Sequence, residues 1–362
     1  MTDARDDATA TLLTDGRVLI AGPAFSSAFP RATLASAELY DPKTGIFSPT
    51  DPTAEVPGGH TATLLSDGRV LIAGGDGDLT ANSGGPLASA ELWDPKTGKF
   101  APTGSMITSR DGHTATLLSD GRVLIAGGFG LVSSGTYGVL ASAELYDPKT
   151  GTFTVTGSMT TARQYHTATR LSDGRVLITG GFDVSGASLA SAELYDPRTG
   201  TFTVTGSMTH ARLFDTATLL SDSRVLMAGG WTGTEANSGL QTTIASAELY
   251  DPKTGTFSPT GSMTTDRSGH TATALPDGRV LVAGGEDDSG ASLASAELFD
   301  PRTGTFDTAG SMSTSRDGHT ATLLSDGRVL IAGGIVRPPW EPIDVRTVLA
   351  SAEVYQPPPR LR

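Results

Sequence analysis

Residues 60–75 read HTATLLSDGRVLIAGG, and residues 113–128 repeat the same sixteen letters. Variants of the phrase recur along the chain, with the turn Asp at Asp15, Asp67, Asp120, Asp173, Asp222, Asp277 and Asp326, 49 to 55 residues apart. Self-similarity at such a period marks a repeat architecture, each copy being one supersecondary unit that buries its apolar surface against its neighbours. Each unit divides into four short strands, a to d. HTATLL is strand a, and the Ser-Asp-Gly after it suits a tight hairpin. RVLIAGG is strand b; a segment of variable length leads to strand c, ASAELY; Asp-Pro-Lys-Thr-Gly turns the chain into strand d, TFSPTG. No helical period runs through the pattern.

Four antiparallel strands repeated radially form a propeller blade. The sequence therefore predicts an all-β, seven-bladed β-propeller in one domain, with blades near 1–50, 51–104, 105–157, 158–206, 207–261, 262–310 and 311–362. The last unit ends ASAEVYQPPPRLR without a recognisable strand d, which predicts a final blade lacking its outer strand. The Gly-Gly after strand b (such as Gly74-Gly75 and Gly127-Gly128), the aromatic before Asp-Pro (Tyr40, Trp93, Tyr146, Tyr195, Tyr250, Phe299) and an aromatic in strand d resemble kelch repeats. Two departures stand out: strand d carries Phe where kelch repeats usually carry Trp, and the first unit has Gly22-Pro23. The resemblance implies a relation to galactose-oxidase-like propellers, whose Cys-Tyr crosslink is excluded here because the chain has no Cys.

The net charge of −13 argues against a nucleic-acid partner, since a phosphate backbone would be repelled. No apolar run of membrane-spanning length and no basic-then-apolar leader appear, so a soluble monomer is expected, cytoplasmic or secreted after loss of a leader. Phosphate-binding glycine loops, HExxH and nucleophile elbows are missing.

The copies act as internal controls, and their differences are concentrated. Only the b-to-c loop changes length, from 8 residues (182–189) to 15 (335–349), and it shares one end of the propeller with the d-to-a segment. Residues outside the repeated frame include 7 bases and 19 acids, and 18 of those acids fall in these two segments, so this face is acidic. All nine aromatics outside the frame belong to it as well: Phe25, Phe29, Phe129, Tyr137, Tyr165, Phe182, Phe214, Trp231 and Trp340. Binding surfaces are enriched in such rings, although rings that plug a channel mouth would give the same pattern.

Five His occupy one frame position (His60, His113, His166, His270, His319), as expected for a hydrogen bond between blades rather than a metal ring. The Arg that leads into strand a and the Glu of strand c are expected to form a repeated ion pair. Blade 5 replaces the His with Asp215, and blade 4 places Tyr165 beside His166, so Tyr165, His166, Asp183, His210, Phe214, Asp215 and Trp231 are expected to converge on one rim. With Phe182, Glu235, Glu286, Asp287, Trp340, Phe129 and Tyr137 they suit a cationic or sugar-like ligand or a basic protein segment. If the protein is an enzyme, a lyase, hydrolase or isomerase, then His166, Asp215, Tyr165 and His210 are the catalytic candidates. No resident cofactor is expected; a divalent metal is an open alternative, with Asp76 and Asp78 as a candidate Ca²⁺ loop.

Overall fold

A computed structural model of the chain describes residues 1–25, 33–53, 58–77, 85–133, 135–233, 242–339 and 346–359. Every regular element in them is a strand, and none contains a helix long and apolar enough to cross a membrane. Blade 3 shows the unit: strand a Thr114–Leu117, strand b Val123–Ala126, strand c Ala143–Asp147 and strand d Thr152–Val155 pair in that order, each antiparallel to the next. Among the described residues six blades carry all four strands and the seventh has three, Thr320–Leu323, Val329–Ala332 and Ala352–Tyr355. The short last blade is as the sequence predicted. Strand a of blade 1, Thr9–Leu12, lies against strand a of blade 2, Thr61–Leu64, and against that of blade 7, so the inner strands close a ring.

Strand b explains why its sequence is a continuous apolar run instead of an alternating one: both of its faces are covered. In blade 3, Val123 and Ile125 pack with Leu65, Leu71 and Ala73 of blade 2, while Leu124 and Ala126 pack with Val176 and Ile178 of blade 4. The same interleaving closes the ring, with Val18, Ile20 and Tyr40 of blade 1 against Leu324, Leu330 and Ala332 of blade 7. The N-terminal segment reinforces that junction. The Met1 ammonium donates to Ala350 O at 2.9 Å, Arg5 N to Leu349 O at 3.1 Å and Gly334 N to Arg5 O at 2.8 Å.

The expected Arg-to-Glu pair is present in six blades: Arg5–Glu38, Arg110–Glu144, Arg163–Glu193, Arg212–Glu248, Arg267–Glu297 and Arg316–Glu353, at 2.9 to 3.2 Å. Blade 2 departs, with Pro57 at the Arg position. Each of these Arg side chains is fully buried. In blade 4, Arg163 Nη1 donates to Gly180 O and Ser191 O, its Nη2 donates to Ser191 Oγ, and Glu193 accepts the amides of Thr160 and Thr161. The charge is thus satisfied by the strand b exit, the start of strand c and its own lead-in. A buried pair need not add net stability, but removing one partner strands the other charge. Arg163→Leu is therefore expected to cost about 3–5 kcal/mol in urea unfolding at pH 7. Arg17→Leu, which breaks the exposed turn pair with Asp15, should change stability by only about 0.5 kcal/mol.

Candidate functional site

Because strands alternate in direction, the b-to-c and d-to-a segments emerge at the same end of the ring. There the residue just past the Gly-Gly pairs with the lead-in two residues before the His position. The pairs are Asp111 with Phe129, Gln164 with Phe182, Leu213 with Trp231, Ser268 with Glu286, Gly58 with Asp76 and Asp317 with Ile335. This short upper tier gives six blades one repeated slot whose backbone is fixed and whose side chain is free to differ, while in blade 1 Ala24 pairs with Arg5 instead.

A second slot lies immediately before the His position. Its seven occupants are Asp7, Gly59, Gly112, Tyr165, Phe214, Gly269 and Gly318, all at φ between 51° and 62°. Backbone hydrogen bonds join neighbouring copies: Gly112 N to Gly59 O at 3.3 Å, Tyr165 N to Gly112 O at 3.0 Å, Gly269 N to Phe214 O at 3.1 Å and Gly318 N to Gly269 O at 3.3 Å. Seven backbones near the ~4.8 Å spacing of hydrogen-bonded chains enclose a collar roughly 5 Å in radius, which is the channel mouth. Left-handed backbone favours Gly, and four blades use it. Three blades instead hold Asp7, Tyr165 and Phe214 there, at a cost of order 1 kcal/mol each.

Together the two slots divide the mouth. On blades 4 and 5 the rings form a wall: Tyr165 to Phe182 at 5.8 Å, Tyr165 to Phe214 at 4.9 Å, and Phe214 to Trp231 edge-on at 5.4 Å. A Cβ at Gly112 would meet Tyr165 Cε1 at 2.9 Å, so this glycine admits the ring. Phe129 and Tyr137 stack at 6.2 Å on the blade 3 hairpin beside the wall.

Facing the wall is an acidic arc of Glu286, Asp317, Asp6, Asp7, Asp76 and Asp111, countered by Arg337 on Glu286 and Arg346 on Asp6. Burial, then Asp76 and Asp7, raise Asp111 to about 6. Burial and Asp6 raise Asp7 to about 6, although Gly59 N donates to it at 2.5 Å. Asp7 is open to solvent yet ringed by protein, as a side chain inside a channel mouth is. Asp317 stands near 6 and Glu286 near 7, both driven first by burial. The Tyr165 hydroxyl is raised to about 12 by burial and then by Asp111, Asp7 and Asp76, which places it at the boundary between wall and arc.

The sequence expectation of a single rim holding Tyr165, Phe182, Phe214 and Trp231 with His166, Asp183, His210 and Asp215 is met only for the four rings. The His position faces the neighbouring blade, so His166 Nε2 bonds Thr114 Oγ1 at 2.9 Å, as His60, His113, His270 and His319 bond the matching Thr at 2.9 to 3.1 Å. Burial beside Arg163 holds His166 near 3, so it is neutral at physiological pH. His210 is half-exposed on the lead-in, with Nδ1 3.1 Å from Thr209 Oγ1 and 3.9 Å from the Glu248 carboxylate. Asp183 and Asp287 cap their own loops, accepting from Ser185 and Ala187 and from Ser289 and Ala291. Glu235, Trp340 and Asp78 lie outside the described residues.

Asp215 sits in the His seat at 7 % exposure, and neither carboxylate oxygen has a hydrogen-bond partner. Thr167, which would have bonded a His, bonds Thr179 Oγ1 at 2.6 Å instead; Thr179 stands where the other six blades have Ala. Burial raises Asp215 to about 7. A carboxyl whose folded value exceeds its unfolded value makes the fold hold an extra proton between the two. Stability is therefore retained at low pH and lost as pH rises through about 7. Asp215→Asn should raise the melting temperature at pH 8 and leave it nearly unchanged at pH 4.5, and Asp215→His with Thr179→Ala should restore the sibling pair at both.

The end opposite the mouth carries crevices between blades. One of about 760 Å³ is lined by Asp15, Arg17, Asp41, Lys43, Asp326 and Arg328, and another of about 540 Å³ by the matching turns of blades 2 and 3. Their Asp and Arg already pair across each turn, so these crevices are by-products of the frame.

Among the described residues no three His, Asp or Glu are grouped to hold a metal ion. The Kelch motif matches residues 165–209 and 267–313. Among solved structures the chain is similar to a novel fungal alcohol oxidase of the AA5 family in complex with copper, with TM-score 0.73 and 20% identity over 92% of this chain and 71% of that one. It is also similar to a protein named YjhT, with TM-score 0.65 and 13% identity over 84% of this chain and 97% of that one. Such identities carry the fold alone. No curated protein matches the sequence. Among the described residues the mouth presents no imidazole set for copper: five imidazoles are turned into blade junctions with Nε2 bonded to Thr.

Proposed function

We propose, from the premise that this chain is a kelch-repeat β-propeller, that its channel mouth binds an organic cation, seating an ammonium or guanidinium group between the acidic arc and the aromatic wall. The observation that carries this reading is the collar. Four blades take the unstrained Gly, whereas Asp7, Tyr165 and Phe214 are held in the left-handed region, and strain of this kind clusters at ligand sites. Aromatic faces attract cations through the ring quadrupole, by about 0.5–2 kcal/mol each. Six carboxylates against two Arg leave the arc with unrelieved repulsion, which a cation would relieve and an anion would worsen.

A second reading, an acid/base enzyme at the same mouth, is favoured by carboxyls poised near neutrality, with Asp111 and Asp317 at about 6 and Glu286 at about 7. Tyr165 would stay protonated beside them.

The test uses benzyltrimethylammonium and spermidine as probes, with glucose as the neutral comparison, followed by tryptophan fluorescence. Both cations are expected to bind with affinity that falls with added salt, and glucose is expected not to bind. Affinity should rise between pH 5 and pH 8, because Asp7, Asp111, Asp317 and Glu286 ionise across that window. Phe214→Gly is expected to weaken benzyltrimethylammonium by roughly tenfold. Equal binding of glucose, or an affinity independent of pH, would overturn the reading.

A further inference from the structure

The outer rim of the ring departs from its own repeat in one sector. Among the described residues ten large apolar side chains are exposed, and eight of them lie on blades 3 and 4, five on blade 3 alone: Ile107, Leu131, Val132, Tyr137 and Val155. Strand d is the last strand of a complete blade, so its far edge offers unpaired main-chain groups to another chain. In blade 3, Thr156 N donates inward to Ala143 O at 3.1 Å, and the alternation of an antiparallel ladder then turns the main-chain groups of Phe153 and Val155 outward. Blades 1, 2 and 5 hold Pro49, Pro102 and Pro259 at the Val155 position, each still opposite its strand c Glu. Pro removes the outward donor and blunts the edge, and blade 6 carries Asp307 in its strand. Blades 3 and 4 have neither device: both read Thr-Phe-Thr-Val-Thr, with Val155 67 % and Val204 66 % exposed.

The corner beside that edge separates blade 3 from blade 4. Val155 stands opposite Glu144, whose Oε2 accepts the Ile107 amide at 2.7 Å. In five other blades the residue making this bond is Thr2, Thr160, Thr209, Thr264 or Ser313. Blade 3 alone of these six puts an apolar side chain there, and Ile107 is 62 % exposed. Gly130 pairs with Arg110, and a Cβ on it would collide with Ser109 O, so the hairpin lies directly on the lead-in. Its next residues, Leu131 and Val132, therefore run alongside the segment that carries Ile107. Residues 129–140 and 152–157 contain no charged side chain, in a chain of net charge −13. Two copies can meet on this patch without bringing acidic groups together, whereas elsewhere the net charge holds them apart.

We propose that the outer edge of blade 3 is an interface between two copies of this chain, strand d of each pairing antiparallel with strand d of the other about a two-fold axis at Thr154. The strand is self-complementary in that register: Phe153 of one copy falls opposite Val155 of the other, and Thr154 opposite Thr154. The outward main-chain groups of Phe153 and Val155 then exchange both hydrogen bonds of each such pair. An aromatic facing a β-branched residue is a favourable cross-strand pair. A two-fold contact uses the same patch twice, so Ile107 and Val155 of one copy are covered by the equivalent surface of the other. The composition favoured a monomer, and a contact of one strand and its flanks belongs to the weak class of interfaces, so the pair forms at micromolar concentration. Blade 4 offers the same strand with Thr160 at its corner and Asp183 in its loop, which leaves it without the apolar flank.

The experiment is sedimentation velocity of the full chain over a micromolar concentration series, repeated with Val155→Pro, Ile107→Thr and Val204→Pro. Each substitution installs a residue that sibling blades already hold at that position, so the melting temperature is expected to stay that of the parent. The parent is expected to pass from monomer to dimer as concentration rises, with amide exchange at Phe153 and Val155 slowing in step. Val155→Pro is expected to weaken association by at least roughly tenfold, Ile107→Thr by several-fold, and Val204→Pro to leave it unchanged. A monomer at every concentration, a dimer indifferent to Val155→Pro, equal damage from Val204→Pro, or growth past the dimer into open assemblies would each overturn the proposal.

Discussion

The buried guanidinium of the lead-in Arg is the interaction on which the working end of the molecule depends. In one side chain it joins the carbonyl that ends strand b, the serine that opens strand c and the Glu whose two oxygens hold the lead-in amides. The two segments that differ from blade to blade are therefore anchored at their roots in six blades. A charge kept at 0 % exposure gains little net stability from its pair, but its hydrogen bonds permit one geometry only. Loops of 8 to 15 residues can vary above such a root without disturbing the collar beneath them.

The fold was legible because the repeat isolates cause from accident. Strand b reads VLIA in a blade buried on both faces, Asp-Gly turns close the a-to-b hairpins, and the Arg and Glu positions carry opposite charge once per unit. The His position could be assigned to blade junctions from its recurrence, and the Thr contacts agree.

The site was legible only in part. Counting rings and acids pointed to one end of the propeller, where Tyr165, Phe182, Phe214 and Trp231 lie in contact. It erred in adding His166 and Asp215, because neighbours in sequence point to different places: Tyr165 turns toward the channel and His166 toward blade 3. A signal for the collar was present in the letters. Gly precedes His at Gly59, Gly112, Gly269 and Gly318, so any other residue at that position fills a seat built for left-handed backbone. Asp111 and Asp317 were hidden by a different cause, since they share a slot that only the upper tier defines. Thr179, the one non-Ala at its frame position, could have signalled that Asp215 had lost its Thr partner.

The central claim is that the frame makes the propeller and the odd collar residues make the site. The measurement that tests it most directly is a chain with Asp7→Gly, Tyr165→Gly and Phe214→Gly together, its melting temperature and its binding of benzyltrimethylammonium compared with the parent protein. The account predicts a folded protein with a melting temperature close to or above that of the parent and no detectable cation binding. Retained binding would contradict it, and so would an unfolded chain, since the three side chains would then be part of the frame.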